Sequence, residues 1–422
     1  MTGHCVSHLS RERGAITAQI VDRIPVIDID AHIAEPADLW TSRVSRKWGE
    51  RVPHVIKGKD AKATHRRAFG NLTVRIDPDD DVWLVDGRTG MPTTLFAWAG
   101  HDEHWPEHVH SLDAAHPASH DARARLAYLD ETGLHAQCIF PNLAGSAVYF
   151  GMARREPDLA IECCRAYNDF LTEWCSADPK RLIPQVVLPI WDVDLCVAEI
   201  ERCAAAGHRS VVMTHQPDAY KMPWLAEPYW NPLWAVCQET GLPICFHVEG
   251  ARELPVWPGY EPTPGVIKHS VMGFIENTDA ITEVILSGIC HRYPRLNIVS
   301  VESGAGYLPY LLETLDWQWI NAGMRKSHPE MDLLPSEYFR RQIYGSFWFE
   351  EKSGLREALE LYPDNLFYET DFPHPTSISP GVFEFSQTAR TNLERKFASI
   401  EVTEDLLRKV LHDNAARVYR LS

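Results

Sequence analysis

The sequence predicts an α/β fold of the (β/α)₈ TIM-barrel type, with a large insertion after the first strand that forms a cap. Two observations lead to this expectation. Short β-branched, apolar segments recur along the 422 residues, and each is followed by a longer segment with helical periodicity, which is typical of βα units. Ionisable residues interrupt several of these segments at their C-terminal ends, where a barrel collects its functional side chains. We therefore expect a single barrel domain over residues 1–422.

Eight segments are predicted as barrel strands because they are short, apolar and bounded by turn residues. They are residues 25–30, 136–140, 182–188, 210–214, 243–248, 297–301, 342–349 and 366–370. Helical segments lie between them, and residues 194–206 give the clearest example. There the side chains expected to face the sheet are Leu195, Val197, Ile200 and Cys203, and those expected to face water are Glu199, Glu201 and Arg202.

The connection after the first strand, at about residues 35–130, is too long for a simple loop. It contains a turn-rich alternating stretch at 81–90, which predicts a hairpin, and a histidine-rich tract at 101–120. We expect this insertion to cap the barrel mouth. At the other end of the chain, residues 403–421 predict a final helix, with Thr403 as its N-cap and acidic residues in its first turn.

Composition excludes several classes of function. Lys plus Arg number 41 against 58 Asp plus Glu, so the formal net charge of -17 disfavours nucleic acid and anionic membranes as partners. Ten scattered cysteines without CxxC spacing indicate reduced thiols in a cytoplasm. The N-terminal residues lack the apolar stretch of a signal peptide, and no run is long enough to cross a bilayer. We expect a soluble, cytoplasmic protein.

The first strand carries three polar residues at a period of two, Asp28, Asp30 and His32. In a strand these side chains share one face. Two carboxylates and an imidazole on an otherwise apolar strand are costly to bury unless a bound cation compensates. The alternative is a strand end frayed into solvent, with Asp30 capping the following segment.

Three further ionisable residues close later strands. His247 interrupts the fifth, Glu302 ends the sixth and Asp371 ends the eighth. The first two have a structural alternative, since a lone strand histidine is more often a core residue and Glu302 could simply lie at a helix N-terminus. Their shared position at the C-terminal barrel face favours one site. Asp30, His32, His247 and Asp371 form an N/O ligand set for one divalent ion, best suited to Zn²⁺ and also open to Mn²⁺ or Fe²⁺.

These motifs resemble the amidohydrolase superfamily, in particular its branch of aminocarboxymuconate-semialdehyde decarboxylase-like proteins. The resemblance runs from the first strand to the last helix and includes YND at 167–169, ESGAGYLP from Glu302 and TDFPHP from Thr370. It implies that Asp30 takes the first ligand position with an oxygen, that His247 is the strand-five ligand, and that Asp371 is both ligand and proton carrier. The strand-six position that is commonly histidine is Glu302 here, so Glu302 is expected to act as acid or base, or as a further ligand.

Two reactions are open to such a site. An ion-activated water with an aspartate proton shuttle gives hydrolysis of an amide, ester or lactone. The resemblance instead implies a carboxy-lyase acting on a small aromatic or unsaturated carboxylic acid, which we favour, and it also implies a homodimer. For the lyase, Asp371 must be neutral at one stage, and burial beside Glu302 would raise its pKa accordingly. Arg66, Arg67 and Arg165 are candidates for contacting a substrate carboxylate. A metal-binding scaffold without turnover is the remaining alternative.

Overall fold

The structure is a computed structural model that describes residues 20–67, 73–248, 262–350, 353–379, 387–398 and 400–421. Eight parallel strands close into a barrel in which each strand pairs with the barrel strands before and after it along the chain, and the first pairs with the last. Their bounds are β1 Ile27–Ile33, β7 Ala136–Pro141, β8 Leu182–Val187, β9 Ser210–Met213, β10 Ile244–Phe246, β11 Ile298–Ser300, β12 Ile343–Phe347 and β13 Leu366–Tyr368. The eight predicted strands and the predicted barrel are therefore confirmed.

Helices follow the strands and cover the barrel, as a parallel sheet with two buried faces requires. The longer ones are α1 Ala122–Thr132, α2 Ser146–Ala153, α3 Pro157–Cys175, α4 Val193–Ala205, α5 Asn231–Thr240, α6 Pro262–Phe274, α7 Asn277–Leu286, α8 Leu308–Asn321, α9 Pro335–Gln342, α10 Ser353–Leu361 and α11 Ala389–Ala398. Shorter helices span Leu39–Arg43, Ile289–Arg292, Met324–Ser327, Glu404–Arg408 and Asn414–Val418. No helix in the described ranges is long and apolar enough to cross a membrane.

The insertion after β1 contains two small antiparallel sheets of its own. One joins β2 His54–Lys57, β5 Asp81–Val85 and β6 Arg88–Pro92, and the other joins β3 His65–Arg67 and β4 Thr73–Arg75. The expected hairpin is β5 and β6. It turns through Asp86 and Gly87, which both have positive φ values (52° and 70°), as the common two-residue hairpin turn demands.

The insertion packs against the C-terminal end of the barrel. The backbone N–H groups of Trp98 and Ala99 both donate to the carbonyl of Pro373, which follows the last strand. The Phe96 ring lies 5.6 Å from the ring of His374. The insertion therefore reaches the face of the barrel where the predicted site residues end their strands.

The final helix begins as expected, because the Thr403 side chain accepts the N–H of Leu406. One expectation for α4 is wrong. Glu199 does not face water but is fully buried, where it accepts hydrogen bonds from Asn168 and Arg202. Helical periodicity groups Glu199 with the polar residues of the same turn, Glu201 and Arg202. Periodicity within α4 does not reveal that Asn168 on α3 donates a hydrogen bond to the Glu199 carboxylate.

Candidate metal centre

The strand ends bring Asp30, His32 and His247 together at the C-terminal mouth of the barrel. The Nε2 atoms of the two imidazoles lie 3.1 Å apart. Each of them lies 3.4 Å from Oδ1 of Asp30. Asp371 joins the group through its Oδ1, 3.4 Å from Nε2 of His32. The four predicted ligand residues therefore converge, and none of them is more than 7% exposed.

The backbone presents the Nε2 atoms of both histidines to this point. Nδ1 of His32 lies 2.8 Å from the carbonyl of Pro141, and Nδ1 of His247 lies 3.1 Å from the carbonyl of Val248. A carbonyl only accepts hydrogen bonds, so in a neutral ring Nδ1 carries the proton and Nε2 carries a lone pair. Two such lone pairs 3.1 Å apart repel each other unless a cation or a proton lies between them.

The residues fit a divalent cation on two counts. Among the described residues, no group donates a hydrogen bond of good geometry to either carboxylate oxygen of Asp30, although the side chain is fully buried. A buried carboxylate without donors is costly, and a cation removes that cost. The spacing also fits, because two atoms each about 2.1 Å from one ion lie about 3.0 to 3.4 Å apart at octahedral to tetrahedral angles.

Asp28, which the strand periodicity placed with Asp30 and His32, belongs to a different network. Its carboxylate accepts hydrogen bonds from Gln137 Nε2 at 2.8 Å and from Thr370 Oγ1 at 2.6 Å. Burial raises the pKa of Asp28 to about 7 despite these donors. The pairing of β1 with β7 shifts register between Asp28 and Ala31. This irregularity breaks the simple alternation that the sequence predicted.

Glu302 and Asp371 lie on the same side of the site. With Asp30 they form a group in which one carboxylate oxygen of each residue lies within 4.8 Å of one oxygen of each of the other two. Glu302 Oε2 is also 3.6 Å from Nδ1 of His247. Both Glu302 and Asp371 have a φ of 57°, a strained conformation for residues other than glycine that concentrates at functional sites.

The electrostatics of the two acids differ from the expectation. Burial raises the pKa of Asp371, but the facing His374 and His32 imidazoles outweigh it, so the pKa falls below its ordinary value. Burial and the neighbouring Asp371 and Asp30 hold the pKa of Glu302 well above its ordinary value. Without a cation, Glu302 is therefore the more easily protonated of the two, whereas the sequence led us to expect a raised pKa at Asp371.

The carboxylates also act on the first imidazole. Burial lowers the pKa of His32, but Asp30 and Asp371 outweigh it and raise that pKa to about 10. The site therefore has a negative potential that attracts a proton as well as a cation. Cation binding is expected to release a proton here, because a ligating imidazole must be neutral.

Two residues at the site were given no role from the sequence. His374 stacks on His32 with ring centroids 3.7 Å apart, and its Nδ1 is 2.8 Å from Oδ1 of Asp371. Glu369 is fully buried, and its Oε2 accepts the backbone N–H of Glu302 at 3.2 Å. The sequence held a signal for Glu369, since it precedes Asp371 by two positions in the same segment.

Two of the three candidate arginines, Arg66 and Arg165, lie away from this site. Nε of Arg165 lies 3.4 Å from Oε2 of Glu199, in the helical layer outside the barrel. Arg66 lies on the short strand β3 of the insertion, where it is exposed to solvent. Both residues therefore occupy places other than the mouth.

Comparisons with known proteins agree with this architecture. The chain is 25% identical over 295 residues to gamma-resorcylate decarboxylase of Rhizobium sp. (strain MTP-10005), covering 67% of this chain and 85% of that protein. A crystal structure of an amidohydrolase from Mycobacterium avium subsp. paratuberculosis K-10 superposes with a TM-score of 0.68 at 20% identity, covering 94% of this chain and 99% of that one. Dihydroxybenzoic acid decarboxylase of Polaromonas sp. JS666, solved with bound manganese and 2-nitroresorcinol, gives 0.53 at 21% identity over 70% of this chain and 85% of that one.

The match to a family model covers most of the chain. The model described as amidohydrolase matches residues 27–421, from the first residue of β1 to beyond the last helix. The match contains every strand of the barrel and all the residues that converge at its mouth. This chain therefore belongs to the amidohydrolase family.

Proposed function

We propose that this protein is a metal-dependent carboxy-lyase that removes CO₂ from a small aromatic or unsaturated carboxylic acid. The observation that carries the proposal is the buried carboxylate of Asp30 beside the Nε2 atoms of His32 and His247, because its oxygens accept no hydrogen bond of good geometry from the described residues. It supports a cation site, and the names of two of the similar proteins, gamma-resorcylate decarboxylase and dihydroxybenzoic acid decarboxylase, support the reaction.

The proposed ligands are Asp30, His32, His247 and Asp371, and their donor set suits one divalent first-row ion. The two imidazoles favour Zn²⁺, whereas the manganese in the Polaromonas neighbour favours Mn²⁺. When bound, the ion would neutralise the buried carboxylates and polarise the oxygen atoms of a substrate.

The proposed proton chemistry uses residues that face the same space. Decarboxylation breaks the bond between the ring carbon and the carboxylate, which leaves as CO₂; the bonding electron pair stays with the ring carbon, where a proton takes the place of the carboxylate. Glu302 and Asp371 are the carboxyl groups placed to hold and transfer this proton. Nδ1 of His374 lies within hydrogen-bonding distance of Oδ1 of Asp371 and is placed to exchange a proton there afterwards.

The proposal is tested by incubating the metal-loaded protein with a panel of hydroxybenzoic acids, together with amides, esters and lactones. Released CO₂ and the matching decarboxylated ring are expected for at least one acid, with loss of activity in Asp371→Asn. A new carboxylate without CO₂ would identify a hydrolase and contradict the proposal. Metal-loaded protein that is inert towards the whole panel would contradict it as well and favour a binding role.

A homodimer is a second proposal, which began from the resemblance. Three large side chains on one helix, α8, support it because they are unusually exposed: Tyr310 at 76%, Trp317 at 67% and Ile320 at 67%. Sedimentation velocity should give twice the chain mass, and a Trp317→Glu variant should sediment as a monomer. Monomeric wild-type protein at micromolar concentration would contradict the dimer.

The proposed cellular location is the cytoplasm. Nine cysteines of the described residues are free and buried, which agrees with a reducing compartment; Cys5 lies outside the described residues. Cell fractionation tests this location, and recovery from an exported fraction would contradict it.

A further inference from the structure

One loop contacts both of the imidazoles that lie on the β1 and β13 side of the site. Nδ1 of His32 faces the carbonyl of Pro141 at 2.8 Å, and Nε2 of His374 lies 2.6 Å from Oδ1 of the next residue, Asn142. The loop follows β7 directly. Its position therefore decides how both rings are oriented and which nitrogen of His32 is available to a cation.

A single side chain holds this loop. Oε1 of Glu35 accepts the N–H groups of Asn142, Leu143 and Ala144 at 3.0, 2.8 and 3.0 Å. Three successive backbone N–H groups that converge on one oxygen form an anion-binding nest, and here the chain's own carboxylate fills it. Glu35 is only 2% exposed, so without it water could not easily satisfy these donors.

The position of Glu35 in the sequence shows that this contact links the end of β1 to the loop after β7. It lies three residues after His32 on the segment that leaves β1, which pairs with β7 at His32↔Phe140 and Ile33↔Pro141. The end of the ligand-bearing strand therefore reaches across to the neighbouring loop through Glu35. The loop reaches back to His32 through Pro141, which closes a short ring of contacts around the ligand.

From this ring of contacts we infer that Glu35 is a positioning residue, which holds the 141–144 loop so that His32 presents Nε2 to the cation and His374 faces Asp371. This inference rests on the proposed cation site. It assigns Glu35 no contact with the ion or the substrate. Its effect passes through Pro141 to the ligand and through Asn142 to His374.

A buried carboxylate can also have a purely structural role, and this chain provides a matched example. Glu199 is likewise fully buried and accepts several hydrogen bonds, but its partners, Asn168 and Arg202, lie in the helical layer. Loss of either carboxylate should lower thermal stability. Only the loss of Glu35 should change how the protein binds a cation.

The experiment uses Co²⁺ alone as the probe, because its visible absorption reports ligand geometry and its titration gives affinity without any substrate. Glu35→Met keeps the length of the side chain and removes the acceptor, and it should weaken Co²⁺ binding about 10- to 100-fold and alter the spectrum. Glu35→Gln keeps an oxygen for the three N–H groups and should stay within about threefold of wild type. Glu199→Met should unfold at a lower temperature yet keep the wild-type affinity and spectrum.

The variant Asn142→Leu separates the contact of the loop with His374 from its contact with His32. It removes the partner of His374 but leaves the Pro141 carbonyl in place. We therefore expect unchanged Co²⁺ affinity and a lower kcat. A fall in Co²⁺ affinity as large as that of Glu35→Met would contradict the separate routes.

The central outcome is the contrast between the two glutamates. If Glu35→Met binds Co²⁺ as wild type does while its melting temperature falls like that of Glu199→Met, Glu35 is only structural and the inference is wrong. Should Glu35→Met not fold, Glu35→Asp decides by the same titration, because its shorter side chain must pull the loop or lose the donors, and unchanged affinity would overturn the inference. Wild-type protein that binds no Co²⁺ would instead contradict the cation site itself, and the positioning role with it.

Discussion

Two regions of this molecule bury a carboxylate, and they do so in opposite ways. In the outer cluster, formed by Asn168, Glu199, Arg202 and His208 between the barrel and its helices, both oxygens of Glu199 accept hydrogen bonds. In the mouth cluster, formed by Asp30, His32, His247 and Asp371, the oxygens of Asp30 accept none of good geometry from the described residues. Burial is complete in both cases.

The difference shows that burial alone does not tell whether a carboxylate stabilises the fold. A buried charge with all its partners strengthens one packed arrangement, whereas a buried charge without donors costs free energy of folding. Such a cost is expected where a site serves a ligand rather than stability. The two clusters should therefore respond differently when the charge is removed.

The largest effect is expected from Asp30→Asn. It should lower kcat/KM at least about 10³-fold, because bound cations supply several kcal/mol of transition-state stabilisation. In metal-free protein the same change should lower the free energy of unfolding less than Glu199→Gln does, since the Asp30 oxygens accept no hydrogen bond of good geometry from the described residues and face only the imidazoles at 3.4 Å. Steady-state kinetics and urea unfolding after chelation test the two effects, and marked destabilisation of the metal-free variant would break the contrast.

Glu302→Gln should give the next largest effect. The amide cannot transfer a proton, and general acid–base catalysis contributes about 10²- to 10⁴-fold in rate. We expect kcat to fall by this order while the affinity for Mn²⁺ stays within about threefold. Kinetics combined with a metal titration provide the check, and an equal loss of metal affinity would instead identify Glu302 as a ligand.

Glu199→Gln should affect stability and spare the site. It weakens charge-assisted hydrogen bonds to Asn168 and Arg202 in a buried place, with an expected loss of about 1 to 3 kcal/mol in the free energy of unfolding. Activity and metal content should match wild type. A variant that is as stable as wild type, or that loses metal, would remove the distinction between the two clusters.

The smallest effect concerns pH and the outer cluster. Burial lowers the pKa of His208 to about 4, below its ordinary value of 6.5. The unfolded chain therefore binds a proton more readily, so the stability that this residue contributes is present above pH 6.5 and is lost as pH falls towards 4. In His208→Gln, the change in unfolding free energy between pH 6.5 and 4 should be smaller than in wild type, and an identical change would contradict this assignment.

The fold was predictable because each barrel strand is a short apolar segment with its own turn signals, and alternation with helices leaves few other architectures. The hairpin at Asp86 and Gly87 was predictable for a similarly local reason. The sequence says less about the register in which each strand pairs than about where the strand lies. The register shift in β1 moves Asp28 into a separate network with Thr370 and Gln137, and no local pattern announces such a shift.

The convergence at the mouth could be predicted because parallel strands of a barrel end on one face. What sequence could not provide were contacts between distant segments. Glu199 meets Asn168 across two helices, and Glu35 meets a loop more than one hundred residues away. The pKa values could not be predicted from the sequence either. The pKa is raised at Glu302 and lowered at Asp371, the reverse of the expectation for Asp371, because His374 and other charges face the two carboxylates differently.

The central claim is that four side chains hold one divalent cation at the barrel mouth. Metal content by mass spectrometry, after loading with Mn²⁺ or Zn²⁺ and removal of free ions, tests it most directly. Wild type and Glu199→Gln should both retain about one ion per chain, and Asp30→Asn and His247→Ala should retain almost none. Wild-type protein that retains no ion, or an Asp30→Asn variant that retains a full equivalent, would contradict the account.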